Sequence, residues 1–284
     1  MRALCALISA CAIAAASTGH AAIVEGVFEV PVTVKTIYDQ VHTQKIQVTV
    51  WRDDAREKAP FVILNHGRPA SAASFAAMGR QRYPENSRYL VSLGFVVFVP
   101  TRVGYGVSGG EDVEYSGSCQ GKIYEPVYRA AAAQALEVLN HAKALPYVDG
   151  TRGIVVGQSF GGATAITVAS MNLPGVVAAV NFAGGGGGDP IGRPENPCRP
   201  DVMQNLFGDY GRKAKVPTLW FYSENDRYWG KMLPKKWFDA FVNAGGRGTL
   251  VQLPPYAADG HASFTGNRAA WSAAFEDFLK KTGF

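Results

Sequence analysis

Two serines of this chain lie between glycines in the pattern G-x-S-x-G: Ser108 in GVSGG and Ser159 in GQSFG. A serine hydroxyl attacks a carbonyl carbon when a neighbouring base removes its proton and an acidic side chain orients that base. Each serine is therefore a candidate nucleophile. Because so short a pattern also arises by chance, the surrounding residues must decide between the two.

The residues around Ser159 favour it as the nucleophile. The apolar segment GIVVG, residues 153–157, leads directly into the turn, and residues 160–171 continue as an apolar segment able to form a helix. A strand, sharp turn and helix of this kind hold the serine in a strained conformation that exposes its hydroxyl. Because the backbone is crowded there, the residues two before and two after must lack side chains, and Gly157 and Gly161 meet that requirement.

Ser108 lacks this context. It lies several residues beyond the end of a predicted strand, and the residues that follow, EDVEYSGSCQG, show no helical pattern. We therefore predict Ser159 as the catalytic nucleophile. The alternative is a structural role for Ser159, in which its side chain caps the N-terminus of a helix after a tight turn.

His261 is predicted to be the catalytic base, because no other histidine lies downstream of Ser159 in the sequence. In this arrangement the orienting acid lies between the serine and the histidine in chain order. The segment SEND follows the next-to-last predicted strand and offers two carboxylates. We favour Asp226, which lies further into the loop, over Glu224, and place Asp259 third. A solvated loop carboxylate is the alternative interpretation of each.

The negative charge that develops on a substrate oxygen is stabilised by N–H donors that are already in place. One predicted donor of this oxyanion hole is the backbone N–H of Phe160, next to the nucleophile. The second is the backbone N–H of Arg68, in the segment HGRP that leaves the end of a predicted strand. His66 is interpreted as a buried structural histidine rather than a catalyst, because Ser159 needs only one base.

Strand-like and helix-like segments alternate and predict the elements that position these residues. The first two strand segments alternate apolar and polar residues, whereas the other six are nearly unbroken apolar runs, typical of strands covered on both faces. The strand segments are residues 27–35, 45–51, 60–66, 94–100, 153–157, 175–184, 217–222 and 248–254, and the helix segments are about 71–93, 124–144, 160–172, 231–244 and 265–281. This order predicts an α/β fold with a doubly wound, mostly parallel sheet of about eight strands and an antiparallel N-terminal start.

Residues 183–200, AGGGGGDPIGRPENPCRP, contain too much glycine and proline for regular structure. They follow a predicted strand, so we predict a long loop over the carboxyl edge of the sheet, where open α/β sheets bind ligands. A solvated surface loop is the alternative. The other loops expected to select the substrate are those around Tyr105, residues 111–121 and Tyr228–Trp229.

Residues 1–21 carry the pattern of a secretory signal: Arg2, an apolar stretch, and small residues at the cleavage positions. The apolar stretch is shorter than the roughly 20 residues that span a bilayer, which argues against a membrane anchor. The residues ISAC, ending at Cys11, also resemble a bacterial lipobox but come very early for one. We therefore expect a secreted or periplasmic protein whose mature part, residues 22–284, forms one domain.

Removal of this signal leaves Cys119 and Cys198 as the two cysteines of the mature chain. In an oxidising compartment two cysteines most simply form a disulfide. Two unrelated buried thiols are the alternative, because the sequence does not show that they meet. A bond between them would join two of the loops expected beside the substrate pocket.

Charge and composition narrow the classes of partner. The formal net charge is +5, but the lysines and arginines are scattered without a dense block, so we expect no nucleic-acid partner. No cysteine and histidine spacing typical of a metal site occurs. We accordingly expect no metal, no organic cofactor and no stable membrane span, and the sequence does not indicate an oligomeric state.

Four segments, HGRP, GQSFGG, SEND and DGHASF, occur in this order across nearly the whole mature chain. Together they resemble the α/β-hydrolase superfamily, and the short loop TRVGYGVSGG makes the chain similar to the dienelactone hydrolase-like and prolyl-oligopeptidase-like branch. The resemblance implies an eight-stranded sheet with Ser159, Asp226 and His261 on loops at its carboxyl edge. Dienelactone hydrolases proper carry a cysteine nucleophile, so the serine argues against dienelactone as the substrate and favours ordinary esters.

The predicted function is therefore hydrolysis of small-molecule carboxylic esters by a serine hydrolase, through an acyl-enzyme intermediate. The same residues could serve a peptidase, an amidase or an acyltransferase. A non-catalytic binding protein of the same fold is a more remote alternative. Such a protein would typically lack one of the three catalytic residues, whereas all three positions are filled in this sequence.

Overall fold

The computed structural model describes residues 22–284, and the predicted secretory signal, residues 1–21, lies outside the described residues. The strands are β1 Ile23–Lys35, β2 Val41–Asp53, β3 Ala59–Asn65, β4 Val96–Pro100, β5 Val148–Gln158, β6 Val176–Phe182, β7 Thr218–Ser223 and β8 Gly248–Leu253. They form one sheet of eight strands in the order β1-β2-β4-β3-β5-β6-β7-β8. The pairs β1–β2 and β2–β4 are antiparallel and the remaining pairs are parallel. This topology confirms the predicted mostly parallel sheet with an antiparallel start.

Helices connect the strands. They are α1 Ala72–Ala77, α2 Pro84–Ser92, α3 Tyr124–Lys143, α4 Phe160–Met171, α5 Pro200–Lys213, α6 Leu233–Asn243, α7 Ser263–Gly266 and α8 Arg268–Lys281. Two 3₁₀ turns, Gly106–Ser108 and Gly260–Ala262, lie in the connecting loops. Within residues 22–284, no helix combines the length and the hydropathy that crossing a bilayer would require.

Apolar cores lie on both faces of the sheet. Val62 and Leu64 of β3 belong to a buried cluster that includes side chains of α2 and α8. Phe61 and Ile63, the alternate residues of the same strand, belong to a cluster on the opposite face that includes side chains of α3 and α4. Successive residues of β3 thus enter different cores, which is why this strand is an unbroken apolar run rather than an alternating one.

The segment predicted as one helix over residues 71–93 forms two helices, α1 and α2. Between them Tyr83 adopts the left-handed region with φ 44°, directly before Pro84. A right-handed helix does not continue through a left-handed residue, and proline favours the first position of a new helix. The prediction was therefore right about helical content and wrong about continuity.

Helix α5 was not among the predicted helices. Gly208 and Gly211 lie inside it, and glycine in a helix interior costs about 1 kcal/mol relative to alanine. A Cβ at Gly211 would overlap the carbonyl oxygen of Phe241 in α6. The glycine that weakens the helical pattern in the sequence is thus the residue that lets α5 pack closely on α6.

The predicted disulfide is present. Cys119 and Cys198 are bonded, with their Cα atoms 5.0 Å apart and a sequence separation of 79. Cys119 lies in the loop before α3, and Cys198 lies near the end of the glycine-rich loop, residues 183–199, which links β6 to α5. By restricting the unfolded chain, a bond closing so long a loop can stabilise the fold by up to ~4 kcal/mol.

The direction of the parallel strands brings the four sequence motifs to one edge of the sheet. HGRP follows β3, Ser159 follows β5, SEND overlaps the end of β7, and DGHASF lies beyond β8. Carboxyl ends of parallel strands share one edge of a sheet. The loops that carry Arg68, Asp226 and His261 therefore surround the turn at Ser159.

Candidate active site

Ser159 lies in a strained turn between β5 and α4. Its φ of 57° and ψ of −125° fall outside the ordinary right-handed and extended regions, at a cost of about 1–3 kcal/mol that the surrounding structure must offset. A Cβ at Gly157 would overlap the carbonyl oxygen of Gly161, and one at Gly161 would overlap that of Asn65. The backbone N–H of Ser159 donates to Phe182 O at 2.8 Å and anchors the turn to β6.

The hydroxyl of Ser159 is free in this turn. It makes no capping hydrogen bond to α4, which removes the alternative role as a helix cap. Ser159 is 8 % exposed and lines a cavity of about 530 Å³. Among residues 22–284, no hydrogen bond engages its Oγ atom, so the hydroxyl is available to a ligand in the cavity.

Ser108, the other candidate, uses its hydroxyl differently. Its Oγ donates to Thr101 O at 2.6 Å and accepts from the N–H of Gln47 at 2.9 Å. Both bonds tie a 3₁₀ turn to neighbouring backbone, one of them to the strand β2. The hydroxyl of Ser108 therefore has a structural role, and Ser108 does not line the cavity beside Ser159.

Asp226 and His261 are hydrogen-bonded to each other. His261 Nδ1 lies 2.9 Å from Asp226 Oδ2, and the Asp226 side chain is fully buried. The second oxygen of Asp226 accepts from the backbone N–H groups of Tyr228 at 2.8 Å and Trp229 at 3.2 Å. Because a buried carboxylate is costly unless its oxygens are hydrogen-bonded, these contacts hold Asp226 in one orientation beneath the imidazole.

The His261 ring is held by its neighbours as well as by Asp226. Tyr228 stacks on the imidazole with ring centroids 3.9 Å apart. The carbonyl oxygen of His261 accepts from the side-chain amide of Gln158 at 3.2 Å, and Gln158 directly precedes Ser159. The histidine loop is thus tied to the nucleophile turn. A hydrogen bond between the Ser159 hydroxyl and the His261 ring is not formed among the described residues, so this contact stays a prediction.

The two alternative acids lie elsewhere. Glu224 pairs with Lys231 at 2.9 Å at the surface. Asp259 accepts from the backbone N–H groups of Arg227 and His261, each at 3.0 Å. Asp259 thus shapes the loop that carries the histidine, and Asp226 is the carboxylate among the three that contacts the ring.

The HGRP segment passes directly beside Ser159. A Cβ built on Gly67 would lie 3.2 Å from Ser159 Cβ and 3.7 Å from its Oγ. The backbone N–H of the next residue, Arg68, donates to no other residue of the described chain. Phe160 begins α4, and N–H groups in the first turn of a helix have no acceptor within the helix. Two backbone N–H groups therefore lie near the hydroxyl, and their role as oxyanion donors stays a prediction.

His66 is fully buried and makes two hydrogen bonds to backbone. Its Nδ1 donates to Gly67 O at 2.6 Å, and its Nε2 accepts from the N–H of Arg102 at 3.1 Å. Burial, with the nearby Arg102 charge, holds the pKa of His66 well below its usual range. The imidazole is therefore neutral and structural, as the sequence argument expects.

A buried network that the sequence did not indicate lies behind this segment. Arg102 and Glu114 form an ion pair at 2.6 Å, and both side chains are fully buried. Tyr105 donates to Glu114 at 2.6 Å and accepts from Arg68 at 2.8 Å, and Arg68 forms two bonds with Asp112 at 2.7 and 2.6 Å. Lone charged residues are usually exposed, so nothing in the sequence marks these five as partners.

The cavity beside Ser159 is walled by the two loops that the disulfide joins. The glycine-rich loop contributes Gly185–Gly188, Asp189, Arg193 and Cys198, and the opposite side includes Arg68, Asp112, Tyr115, Lys122, Tyr124, Tyr228 and Trp229. The first part of the glycine-rich loop is thus a cavity wall, whereas residues 191–196 are largely exposed to solvent. Burial, with the charges of Arg68 and Arg193, lowers the pKa of Lys122.

Metal ligands do not gather at this edge. Across the described chain, residues 22–284, no group of three or more His, Cys, Asp or Glu side chains converges as the ligands of a metal ion would. The polar groups of the cavity lining include the Ser159 hydroxyl, the basic side chains of Arg68, Lys122 and Arg193, and the carboxylates of Asp112 and Asp189, which pair with Arg68 and Arg193. This set can bind and polarise a carbonyl or a carboxylate group.

Comparisons with known proteins identify the family and the fold of the chain. A family model described as "Alpha/beta hydrolase family" matches residues 61–280. A search of curated protein sequences gave no significant match. At identities of 12–18%, structural likeness shows a shared fold and does not identify a substrate.

Three solved structures illustrate the likeness. A Klebsiella pneumoniae structure assigned as a dienelactone hydrolase is 18% identical with a TM-score of 0.58, covering 92% of this chain and 97% of its own. Acetyl xylan esterase 1 from Thermoanaerobacterium is 12% identical with a TM-score of 0.59, covering 91% and 88%. The acylaminoacyl peptidase of Pyrococcus horikoshii is 14% identical with a TM-score of 0.59, covering 92% of this chain and 42% of its own.

Proposed function

Because this chain belongs to the alpha/beta hydrolase family, we propose that it is a serine hydrolase that cleaves carboxylic esters with Ser159, His261 and Asp226. The observation that carries the proposal is the hydrogen bond between His261 Nδ1 and the buried Asp226, on a loop tied through Gln158 to the strained turn of Ser159. A nucleophile, a base and an orienting acid are the parts that this chemistry requires.

The role of each residue follows from its contacts. Because Nδ1 of His261 donates to Asp226, the neutral ring presents Nε2 as a proton acceptor on the opposite side. His261 takes the proton of the Ser159 hydroxyl as the oxygen attacks the ester carbonyl, and then gives that proton to the departing alcohol. Asp226 fixes the tautomer and stabilises the imidazolium that forms transiently.

The tetrahedral intermediate carries its negative charge on the former carbonyl oxygen. The backbone N–H groups of Arg68 and Phe160 are proposed to donate to this oxygen. Donors already aimed at the site of developing charge lower the barrier, because they need no reorganisation during the reaction. Water, activated by His261, then cleaves the acyl-enzyme and restores the Ser159 hydroxyl.

Amide or peptide hydrolysis is the second candidate, favoured by the structural likeness to an acylaminoacyl peptidase. This chain covers 42% of that peptidase, so the likeness is confined to one part of the larger protein. The likeness to an acetyl xylan esterase extends over 88% of that chain. Ester hydrolysis is therefore the function that the whole described fold supports best.

Labelling with a fluorophosphonate probe tests the proposal. The wild-type protein and Ser108→Ala should react with the probe at Ser159, and Ser159→Ala should not. A panel of p-nitrophenyl esters beside aminoacyl p-nitroanilides then separates the two candidates. Turnover of the anilides alone would replace esterase by amidase, and a wild-type protein that the probe leaves unmodified would overturn the serine mechanism.

We also propose that the protein acts outside the cytoplasm after removal of residues 1–21. The Cys119–Cys198 disulfide supports this location, because such bonds persist in oxidising compartments. Mass spectrometry of protein recovered from the periplasm or medium should give an N-terminus near residue 22. Retention of the full-length chain in the cytoplasm would contradict this proposal.

A further inference from the structure

We propose that Glu114, Tyr105 and Asp112 are positioning residues that aim the backbone N–H of Arg68 at the reacting oxygen. The proposal rests on the proposed function, because it concerns the oxyanion loop, defined as residues 66–68. None of the three touches the Ser159 hydroxyl. Each is argued to act through the backbone or the side chain of the oxyanion loop.

Glu114 is the centre of the network. Its carboxylate accepts from Arg102 Nε at 2.6 Å, from Arg102 Nη2 at 3.2 Å and from the hydroxyl of Tyr105 at 2.6 Å. A fully buried ion pair of this kind commonly contributes little net stability, because desolvation offsets the attraction. These hydrogen bonds nonetheless set the directions of the Arg102 and Tyr105 side chains, which favours a role in positioning the groups that Arg102 and Tyr105 contact.

Arg102 holds the first half of the oxyanion loop. Its Nη1 donates to His66 O at 2.8 Å, and its backbone N–H donates to His66 Nε2 at 3.1 Å. His66 Nδ1 in turn donates to Gly67 O at 2.6 Å. The carbonyl oxygens of both residues that precede Arg68 are thereby fixed, and the orientation of the following peptide groups depends on them.

Tyr105 and Asp112 hold the second half through the Arg68 side chain. The guanidinium donates to the Tyr105 hydroxyl at 2.8 Å and to both oxygens of Asp112, and it lies 4.4 Å from the ring centroid of Phe75. Burial, together with Glu114, raises the pKa of Tyr105. The hydroxyl therefore stays protonated and donates a hydrogen bond to Glu114. Asp112 also accepts from the N–H of Glu114 at 3.2 Å, which closes the network on itself.

The groups on either side of the Arg68 N–H in the oxyanion loop are therefore fixed by hydrogen bonds. The carbonyl groups of His66 and Gly67 and the side chain of Arg68 are all hydrogen-bonded, while the Arg68 N–H has no partner among residues 22–284. Gly67 lies against Ser159. A donor fixed in place before the substrate arrives stabilises the transition state more than one that must first be ordered.

Three conservative variants test this role: Tyr105→Phe, Asp112→Asn and Glu114→Gln. Removing one oxyanion donor outright lowers kcat by about 10²–10³-fold. Misaiming it should lower kcat by about 10-fold in Tyr105→Phe and Asp112→Asn and about 100-fold in Glu114→Gln, with KM within about 2-fold of wild type. The rate of fluorophosphonate labelling at Ser159 should fall in the same proportion, because the phosphonyl oxygen occupies the oxyanion position.

Glu25→Gln is the matched control. Glu25 in β1 also accepts from two arginines, Arg80 at 2.8 Å and Arg82 at 2.7 and 2.5 Å, but it lies outside the cavity lining. Its substitution should lower the melting temperature without changing kcat or the labelling rate. If Glu114→Gln does not fold, the milder Tyr105→Phe and Asp112→Asn decide the question.

Two results would overturn the positioning role. One is folded Tyr105→Phe and Asp112→Asn proteins that keep wild-type kcat and labelling rates, and the other is a rise in KM at constant kcat, which would assign the network to substrate binding. The proposed function fails separately: a wild-type protein not labelled at Ser159 refutes both proposals. Wild-type labelling with unchanged variants refutes the positioning role alone.

Discussion

The turns at Ser159 and Ser108 carry the same G-x-S-x-G pattern and use it for different ends. In GQSFG a Cβ at Gly157 would overlap the Gly161 carbonyl of the same turn, and one at Gly161 would overlap the Asn65 carbonyl of β3. In GVSGG the crowding comes from other parts of the chain: Gly106 lies against the backbone of Gly79, and Gly110 against the side chain of Gln44. The first turn is thus crowded by its own backbone as well as by β3, whereas the second is crowded by residues distant in sequence.

The fate of the hydroxyl follows from what comes after each serine. Ser159 opens the twelve-residue helix α4, so the chain turns away sharply and leaves the side chain above the sheet edge. Ser108 ends a three-residue 3₁₀ turn, and its hydroxyl bonds backbone on both sides. The G-x-S-x-G pattern therefore indicates a crowded backbone at the serine. Whether the hydroxyl is free to react depends on the element that follows the serine.

The largest expected difference between the two turns is in turnover. Ser159→Ala should lower kcat for p-nitrophenyl esters by about 10⁶-fold, because it removes the nucleophile. Ser108→Ala should leave kcat within about 2-fold of wild type. Steady-state kinetics on both purified variants measures this contrast, and equal losses in the two variants would end the distinction drawn above.

The next largest effect concerns the acid that only the Ser159 site possesses. Asp226→Asn should lower kcat by about 10⁴-fold, since an amide no longer stabilises the required tautomer and charge of His261. Glu224→Gln is the matched control, because it alters the neighbouring surface carboxylate that pairs with Lys231, and it should retain activity. Comparable losses in both variants would transfer the role away from Asp226.

Acid should destabilise the folded protein through His66, in the segment that passes beside Ser159. His66 beside Ser159 has its folded-state pKa well below the usual value, so between that pKa and about pH 6.5 the unfolded chain binds a proton that the folded chain does not. Stability should therefore fall as pH drops below about 6.5, by up to ~1.4 kcal/mol per pH unit. Urea unfolding at pH 7 and pH 5 should show a smaller decline in His66→Gln than in wild type, and equal declines would contradict this assignment.

The smallest effect is structural and belongs to Ser108. Its hydroxyl bonds Thr101 O and the N–H of Gln47, and the loss of both contacts leaves partly buried backbone groups unpaired. Ser108→Ala should therefore lower the free energy of unfolding by about 1–3 kcal/mol. Urea denaturation gives this value, and an unchanged midpoint would show that water replaces the hydroxyl without cost.

The sheet could be predicted well from the sequence because its signal is local. Each predicted strand overlaps an observed one, because half-buried strands alternate apolar and polar residues and strands covered on both faces are apolar throughout. The exception in burial is β8, an apolar run predicted to be covered on both faces, which lies at the sheet edge and is largely exposed. Helices were less well predicted where backbone geometry overrode composition. The left-handed Tyr83 splits the first helical segment, and the interior glycines of α5 hide a helix whose packing on α6 requires Gly211.

Some residues of the candidate site could likewise be predicted from the sequence, and others could not. Ser159, Asp226 and His261 could be named from chain order and turn chemistry, although the contact between the hydroxyl and the imidazole stays a prediction. The network of Arg102 and Glu114 could not be named. Nothing in the local sequence distinguishes a buried arginine from an exposed one, because its burial depends on the partner that the fold brings to it.

The Cys119–Cys198 disulfide has a consequence for survival among proteases. The covalent ring that it closes contains β5, Ser159 and β6, and also Ile191, which is 88% exposed. A single cut at Ile191 would produce two polypeptides that remain bonded to each other. The nicked protein would thus keep its nucleophile and both walls of its cavity in one molecule.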